Sequence, residues 1–515
     1  MNSPSNPQTI VELLDAADES AVAIGAPGRR SLTYEGLRRQ TEATAERLRN
    51  LGVKRNDPVA IVLPNGPVMA SAFIAVGASA TTAPLNPAYR EEEFRFYLED
   101  LQAKLLLTDA ASDVLAPAAA AAESLGIPVA RVVEDGDVPA GVFAIDGSGA
   151  IGSSSSPSGS GFAEPGDIAL VLHTSGTTSR PKIVPLTQTN VLASAYHIAE
   201  SLALTADDRC LNVMPLFHIH GLMAAVLASL AAGASVHATP GFNALKFFAW
   251  MSEVQPSWYT AVPTMHQAIL SRAARNEEAI AGSKLRLIRS SSASLPPQVM
   301  TALEQTFDAP VIEAYGMTEA SHQMASNPLP PRPRKPGSVG VAAGPEVSVM
   351  DESGKLLAQG SVGEVVIRGP NVTAGYQNNP EANASAFTNG WFRTGDQGVF
   401  DEDGYLRLTG RLKEIINRGG EKISPREVDE VLLDHPAVVQ ALTFGVAHAK
   451  LGEEVGAALV LKEGVETTEK EIREFASRRL ADFKVPRHVV FLDEIPKGPT
   501  GKLQRIGLAK KLGLE

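Results

Sequence analysis

Short unbroken apolar runs alternate with longer, alanine-rich stretches through the first two thirds of the chain. Short runs bounded by polar residues read as strands covered on both faces, and the longer stretches read as helices laid across them. Val59-Ala-Ile-Val-Leu-Pro64 is such a strand, and Val68 to Ala80 is the helix after it. Lys104 to Asp109 repeats the strand, Ser112 to Leu125 the helix, and Ile168 to Leu172 is a further buried strand. This rhythm predicts layered α/β structure with parallel sheets. Later the pattern shifts to short runs such as Val347-Ser-Val-Met and Gly363-Glu-Val-Val-Ile-Arg, divided by turn sequences such as Asp351-Glu-Ser-Gly and Asp401-Glu-Asp-Gly. That composition predicts a β-rich subdomain over about 340–409. Past the charged junction Gly410-Arg-Leu-Lys413 the mixed pattern resumes, with a helix over Pro425–Leu433, strands over Val438–Gly445 and Val455–Leu461, and a last helix over Lys470–Ala481. The expectation is a large α/β domain over 1–409 and a small α+β domain over 414–515, joined at 410–413. Gly147–Gly161 reads as a low-complexity surface linker and Pro328–Gly337 as an irregular extended segment. No internal repeat is visible.

At 515 residues the chain exceeds what one core supports, and its 44% hydrophobic and 20% charged residues are ordinary for a globular protein. A net charge of −12 argues against a nucleic-acid partner, because phosphate backbones demand clustered Lys and Arg. The single cysteine, Cys210, can form no intrachain disulfide, and its apolar setting reads as a buried structural thiol. No apolar run approaches the ~20 residues that cross a bilayer. Met1-Asn-Ser-Pro-Ser-Asn-Pro lacks the basic and apolar regions of a secretory signal, and Leu512-Gly-Leu-Glu515 is not a peroxisomal address. A cytoplasmic monomer or homodimer is expected.

Candidate chemistry begins directly after the strand Ile168–Leu172. In Thr174-Ser-Gly-Thr-Thr-Ser-Arg-Pro-Lys182, the hydroxyls of Thr174, Ser175, Thr177 and Thr178 can donate to phosphate oxygens. Gly176 lets backbone approach an anion, and Lys182 adds a point charge, which together make a polyphosphate grip. The stretch lacks the glycine that precedes the lysine in the common nucleotide loop, and a plain polar loop would have similar composition. Glu313-Ala314-Tyr-Gly316-Met-Thr-Glu319 offers Tyr315 to stack on a base, Thr318 to donate to phosphate and Glu319 to ligate Mg²⁺. A strand-to-helix turn ending in a solvated glutamate fits the same letters. Asp396, in Trp391-Phe-Arg-Thr-Gly-Asp396, can accept from two ribose hydroxyls, and Arg411 could close on the same sugar. Lys502 sits in the Gly/Pro loop Pro496-Lys-Gly-Pro-Thr-Gly-Lys502, from which a lysine can swing to a reacting carboxylate. A turn aspartate and a loop lysine are also common surface features.

The order of these elements, with Gly-Arg-Leu-Lys-Glu at 410–414 and Gly-Gly-Glu-Lys-Ile at 419–423, resembles the acyl-adenylate-forming superfamily of acyl-CoA synthetases. The likeness runs from Leu32-Thr-Tyr to Lys502. It implies a two-step reaction in which a carboxylate and ATP give acyl-AMP and pyrophosphate, and coenzyme A then displaces AMP as a thioester. It implies that Thr174–Lys182 holds the β- and γ-phosphates, that Glu313–Glu319 serves adenine, phosphate and Mg²⁺, and that Asp396 and Arg411 bind ribose. Lys502 would bridge the carboxylate and the α-phosphate, with Lys182, Thr318 and Glu319 assisting. Lys413 would be the hinge about which a mobile small domain turns, withdrawing Lys502 and presenting Gly419 and Gly420 to coenzyme A. Ser179 and Ile183 stand where relatives often carry glycines.

The acid is addressed by other segments. Leu287-Ile-Arg-Ser-Ser-Ser292-Ala293-Ser crowds an arginine and hydroxyls together, His322 follows the Tyr-Gly-Met-Thr-Glu element, and His218 and His220 lie in Pro215-Leu-Phe-His-Ile-His-Gly221. Imidazoles with serines are what a second carboxylate on the substrate would require, since a buried anion needs hydrogen bonds or charge. With Trp258–His266 and Asn417–Pro425 the set is similar to the oxalyl-CoA synthetase branch. That likeness implies oxalate as substrate, held at its far end by Ser292 and His322. His218 as a gate and His322 as a packing residue remain open alternatives. So do a 4-coumarate or medium-chain acyl substrate and a carrier-loading adenylation enzyme. No carrier domain follows Lys502, which favours free coenzyme A.

Overall fold

The computed structural model describes residues 6–109, 112, 115–134, 136–146, 161–174, 181–497 and 503–514. The apolar runs become strands of two large, mainly parallel sheets. One has seven strands, in the order Ala144–Asp146, Val129–Val133, Leu105–Asp109, Pro58–Val62, Thr81–Pro84, Ile168–His173 and Ile183–Thr187, antiparallel only at its two ends. The other has nine, running from Val341–Ala342 through His322–Ser326, Val311–Met317, Leu287–Ser290, Trp258–Ala261, Arg209–Asn212, Ser235–Ala238 and Val22–Gly25 to Leu32–Thr33. Cys210 is fully buried on the strand Arg209–Asn212, between Trp258–Ala261 and Ser235–Ala238, and burial pushes its thiol well up, as a structural thiol requires.

Helices fill the spaces between strands for local reasons. Pro67 opens Pro67–Gly77, where its missing N–H costs nothing, and every residue from Met69 to Gly77 is buried, so the helix is apolar all round. The helix expected over 112–125 is described over Ala116–Ser124. A smaller antiparallel sheet of Glu346–Met350, Gly363–Arg368, Trp391–Phe400, Phe387–Thr388 and Leu406–Arg411 forms the β-rich part.

The C-terminal part is α+β. Its sheet joins Glu421–Ile423, Ile416–Arg418, Gly452–Leu461, Val438–His448 and His488–Phe491, with the helices Pro425–Leu433 and Glu469–Ser477 packed on it. Two strands run longer than the apolar letters indicate. The pairing continues to His448 opposite Gly452 through polar positions, and one of these, Glu454, is held by Arg418 at 2.6 Å. The helix expected over Lys470–Ala481 spans Glu469–Ser477, and it is not the last: Leu508–Lys511 forms a further helix. Arg505 ties the end of the chain to this unit through Glu414 at 3.1 Å, Asp429 at 2.5 Å and the Thr443 carbonyl at 2.6 Å. Against the large part, Arg426 donates to the Gly337 carbonyl at 3.4 Å.

Candidate active site

Parallel strands leave their side-chain-bearing loops at one edge, so residues distant in sequence gather at the carboxyl ends of neighbouring strands. Four adjacent strands of the nine-stranded sheet do this here. His220 follows Arg209–Asn212, Thr260 lies in Trp258–Ala261, Ser292 and Ala293 follow Leu287–Ser290, and Val311–Met317 carries Glu313 to Gly316.

On the acid side, His220 Nδ1 lies 2.9 Å from Ser292 Oγ and His220 Nε2 lies 2.6 Å from Thr260 Oγ1. The His220 and His322 rings stack with centroids 5.0 Å apart and planes 23° from parallel. His218 turns its Nδ1 to the His220 backbone N–H at 3.3 Å, and Ala293 is exposed beside Ser292. Two of these positions, and Ser321 directly before His322, are strained: Ser292, Ser321 and His322 have φ of +73°, +49° and +98°. Non-glycine residues rarely adopt such values, and they cluster where a site over-determines them. Gly316 explains how His322 is reached. The strand Val311–Met317 turns back so tightly, with Gly316 opposite Gln323 and Met317 opposite His322, that a Cβ at 316 would run into the His322 carbonyl. His220 begins a wide helical segment, His220–Leu227, with i→i+5 character of the kind found at functional sites.

Among the residues expected to serve the nucleotide, Tyr315 is buried and its hydroxyl donates to Asp396 Oδ2 at 2.5 Å. Arg411 Nε donates to the other oxygen at 3.0 Å, from the residue directly opposite Asp396 on the neighbouring strand. Burial, then Asp396, pushes the Tyr315 hydroxyl well up, and Asp396 raises Arg411 further. A carboxylate offers about four lone pairs, so these two bonds do not exhaust the acceptor capacity of Asp396. Glu313 is buried, with Oε1 accepting from the Leu295 N–H at 3.0 Å. Burial raises its carboxyl to about 7 against the opposing pull of Arg426. Thr318 and Glu319 form the turn after this strand.

Glu319 is the centre of a small cluster that its motif does not announce. Tyr376 donates to Glu319 Oε1 at 2.8 Å, and the Lys182 ammonium lies 4.4 Å from the centre of the Tyr376 ring. Burial raises the Glu319 carboxyl, opposed by Tyr376, Arg411 and Lys182. Tyr376 was missed from the sequence, where an isolated tyrosine after a glycine carries no motif. The strands Ile168–His173 and Ile183–Thr187 are tied together just beyond their paired ends: Thr174 N–H donates to the Lys182 carbonyl at 2.9 Å, and Lys182 N–H to Thr174 Oγ1 at 3.1 Å. Ser175, Gly176, Thr177, Thr178 and Lys502 lie outside the described residues. Gly419 and Gly420 form the exposed turn between Ile416–Arg418 and Glu421–Ile423, and Lys413 is exposed in the junction; neither meets the groups above.

The strand Val311–Met317, which carries Tyr315, thus lies between the strand that leads to Ser292 and the strand that begins at His322. Residues 15–377 match the model of the AMP-binding enzyme family and residues 427–502 that of the AMP-binding enzyme C-terminal domain. An oxalate–CoA ligase of Arabidopsis thaliana is 49% identical over 94% of both chains. A probable CoA ligase, CCL9, of Humulus lupulus is 49% identical over 94% of this chain and 92% of its own. The crystal structure of ATP-bound MatB from Rhodopseudomonas palustris superimposes with a TM-score of 0.87 at 30% identity, covering 98% of each chain. The chain belongs to the AMP-binding enzyme family. It is an AMP-forming acid–thiol ligase that uses ATP and CoA, with a large N-terminal and a small C-terminal domain.

Proposed function

We propose that this ligase activates oxalate, converting oxalate, ATP and coenzyme A to oxalyl-CoA, AMP and diphosphate. The observation that carries the reading is the His220–Ser292–His322 group: stacked imidazoles with a hydroxyl, Ser292 and His322 on positive-φ backbone at either side of the strand that carries Tyr315. A fatty or aromatic acyl chain would want an apolar lining there, whereas a second carboxylate wants donors. The 49% identity to a ligase named for oxalate supports the same substrate.

Each remaining role is part of this reading. Thr174–Lys182 grips the β- and γ-phosphates. Tyr315 offers its ring to adenine beside Glu313, Ala314 and Gly316, while Asp396 and Arg411 hold the ribose. Lys502 neutralises the developing charge between carboxylate and α-phosphate, aided by Lys182 and Thr318. Glu319 would hold Mg²⁺, an ion commonly bound by one carboxylate plus substrate phosphates. This fits the lack, among the described residues, of three clustered metal-ligating side chains. Bound there, Mg²⁺ would screen phosphate charge. The small domain, beginning near 414, turns about 410–413 to bring Gly419 and Gly420 to coenzyme A. A single buried thiol suits a reducing cytoplasm.

The test is a panel of acids with ATP, Mg²⁺ and coenzyme A, following AMP and thioester. Oxalate should lead the panel. His322→Ala should lower kcat/KM for oxalate roughly tenfold or more, as loss of a hydrogen bond to a charged group does, while sparing poor monocarboxylate substrates. A wild-type preference for an octanoic or cinnamic acid would overturn the substrate and leave the reaction class standing.

A further inference from the structure

Behind the acid-side group lies a charge that ordinary ion pairing does not explain. Arg289, on the strand Leu287–Ser290, is completely buried, and among the described residues no carboxylate pairs with it. Burial pulls its guanidinium down to about 9, which still leaves it charged at neutral pH. Isolated buried charges are costly, and folds keep them where something compensates. The neutral partners it has are aligned along one path. Nη2 donates to Gln323 Oε1 at 3.2 Å, while Nη1 lies 3.4 Å from both Thr260 Oγ1 and His220 Nε2. Nε has no partner.

The donors and acceptors fix a direction. Gln323 spends its amide protons on the carbonyls of His197 and Ala343 and on Ser201 Oγ, so its oxygen must face the guanidinium. A guanidinium has donors only, and with the Thr260 hydroxyl it converges on His220 Nε2, making that nitrogen the acceptor. The ring proton then sits on Nδ1 and is donated to Ser292 Oγ. The Ser292 hydroxyl proton is thereby turned away from the ring, toward the half-exposed side of the residue.

We propose that Arg289 is a positioning and specificity-determining residue, whose buried charge acts through His220 and Ser292 to favour a substrate with a second carboxylate over one with a neutral end. Resting on the oxalate reading above, this adds that selectivity comes from a charge the substrate never touches. The substrate's far carboxylate supplies the counter-charge that the fold withholds, and the relay sets its donor.

The experiment compares oxalate with oxamate, which has the same size and reacting carboxylate but a neutral amide at the far end. Two variants remove the charge differently. Arg289→Met deletes it, and Gln323→Glu keeps the arginine but places a carboxylate against it. Wild-type protein should favour oxalate. Both variants should lower kcat/KM for oxalate by roughly tenfold or more, mainly through KM, and change oxamate by less than about threefold. Gln323→Glu leaves the arginine in place but loses its bonds to the His197 and Ala343 carbonyls, so both variants are first checked by thermal melting and the oxalate-to-oxamate ratio is read on each that folds. Equal losses on both acids, or an oxalate-to-oxamate ratio unmoved in Gln323→Glu, would show that Arg289 merely supports the sheet and would leave the oxalate reading intact. Wild-type protein that does not activate oxalate would overturn both.

Discussion

Removing one oxygen atom, in Tyr315→Phe, separates the structural from the nucleotide-facing duties of the Tyr315–Asp396–Arg411 group. The ring, and with it any stacking on adenine, is kept. The hydroxyl's 2.5 Å bond to Asp396 is lost, and Asp396 is only 6% exposed, so water replaces that donor poorly. A hydrogen bond to a charged group contributes about 1.5–3 kcal/mol. Because Arg411 still holds the other oxygen at 3.0 Å from a half-exposed position, the lower part of that range applies, about 2 kcal/mol. For a domain of about 400 residues this lowers the melting midpoint by about 2–3 °C. If ribose hydroxyls meet Asp396, one can take the vacated lone pair, recovering about 1 kcal/mol, equivalent to about fivefold tighter ATP binding relative to wild type. Thermal melts with and without saturating ATP, in the absence of acid and Mg²⁺, read both effects. A midpoint loss of the same size with and without ATP would refute the placing of ribose at Asp396.

Burial raises Glu313 to about 7, above the usual carboxyl range. A raised folded-state value contributes stability that is present at low pH and is lost as pH climbs from about 4.5 to about 7. Glu313→Gln should therefore gain on wild type by up to about 3 kcal/mol between pH 5 and pH 8. Urea midpoints at the two pH values check this, and a constant difference would contradict it. Lys502→Ala should cut acyl-AMP formation by about a hundredfold or more yet leave thioester formation from supplied acyl-AMP near wild type. Equal loss of both half-reactions would count against the turning small domain.

The layered α/β sheets and the late β-rich part were legible because strands covered on both faces must be apolar end to end, as at Pro58–Val62 and Ile168–His173. Element ends were not. Val438–His448 runs on through polar residues whose pairing depends on a partner strand, which no local pattern reveals. At the site, Asp396 and Arg411 were readable as a pair and lie opposite each other in register. Tyr376 was not, since its value comes from folding onto Glu319 and under Lys182. The strained backbone at Ser292 and His322 was equally hidden, because only tertiary packing imposes it. The arginine at 289 could be seen in the sequence, but not its burial with no carboxylate paired to it among the described residues.

The central claim is that an acid and ATP react here to give a bound acyl-AMP before coenzyme A takes part. Exchange of labelled pyrophosphate into ATP, with Mg²⁺ and without coenzyme A, measures that step alone. Oxalate should support rapid exchange, reduced by about a hundredfold or more in Lys502→Ala. Folded protein giving no acid-dependent exchange with oxalate or any other carboxylic acid would contradict the account.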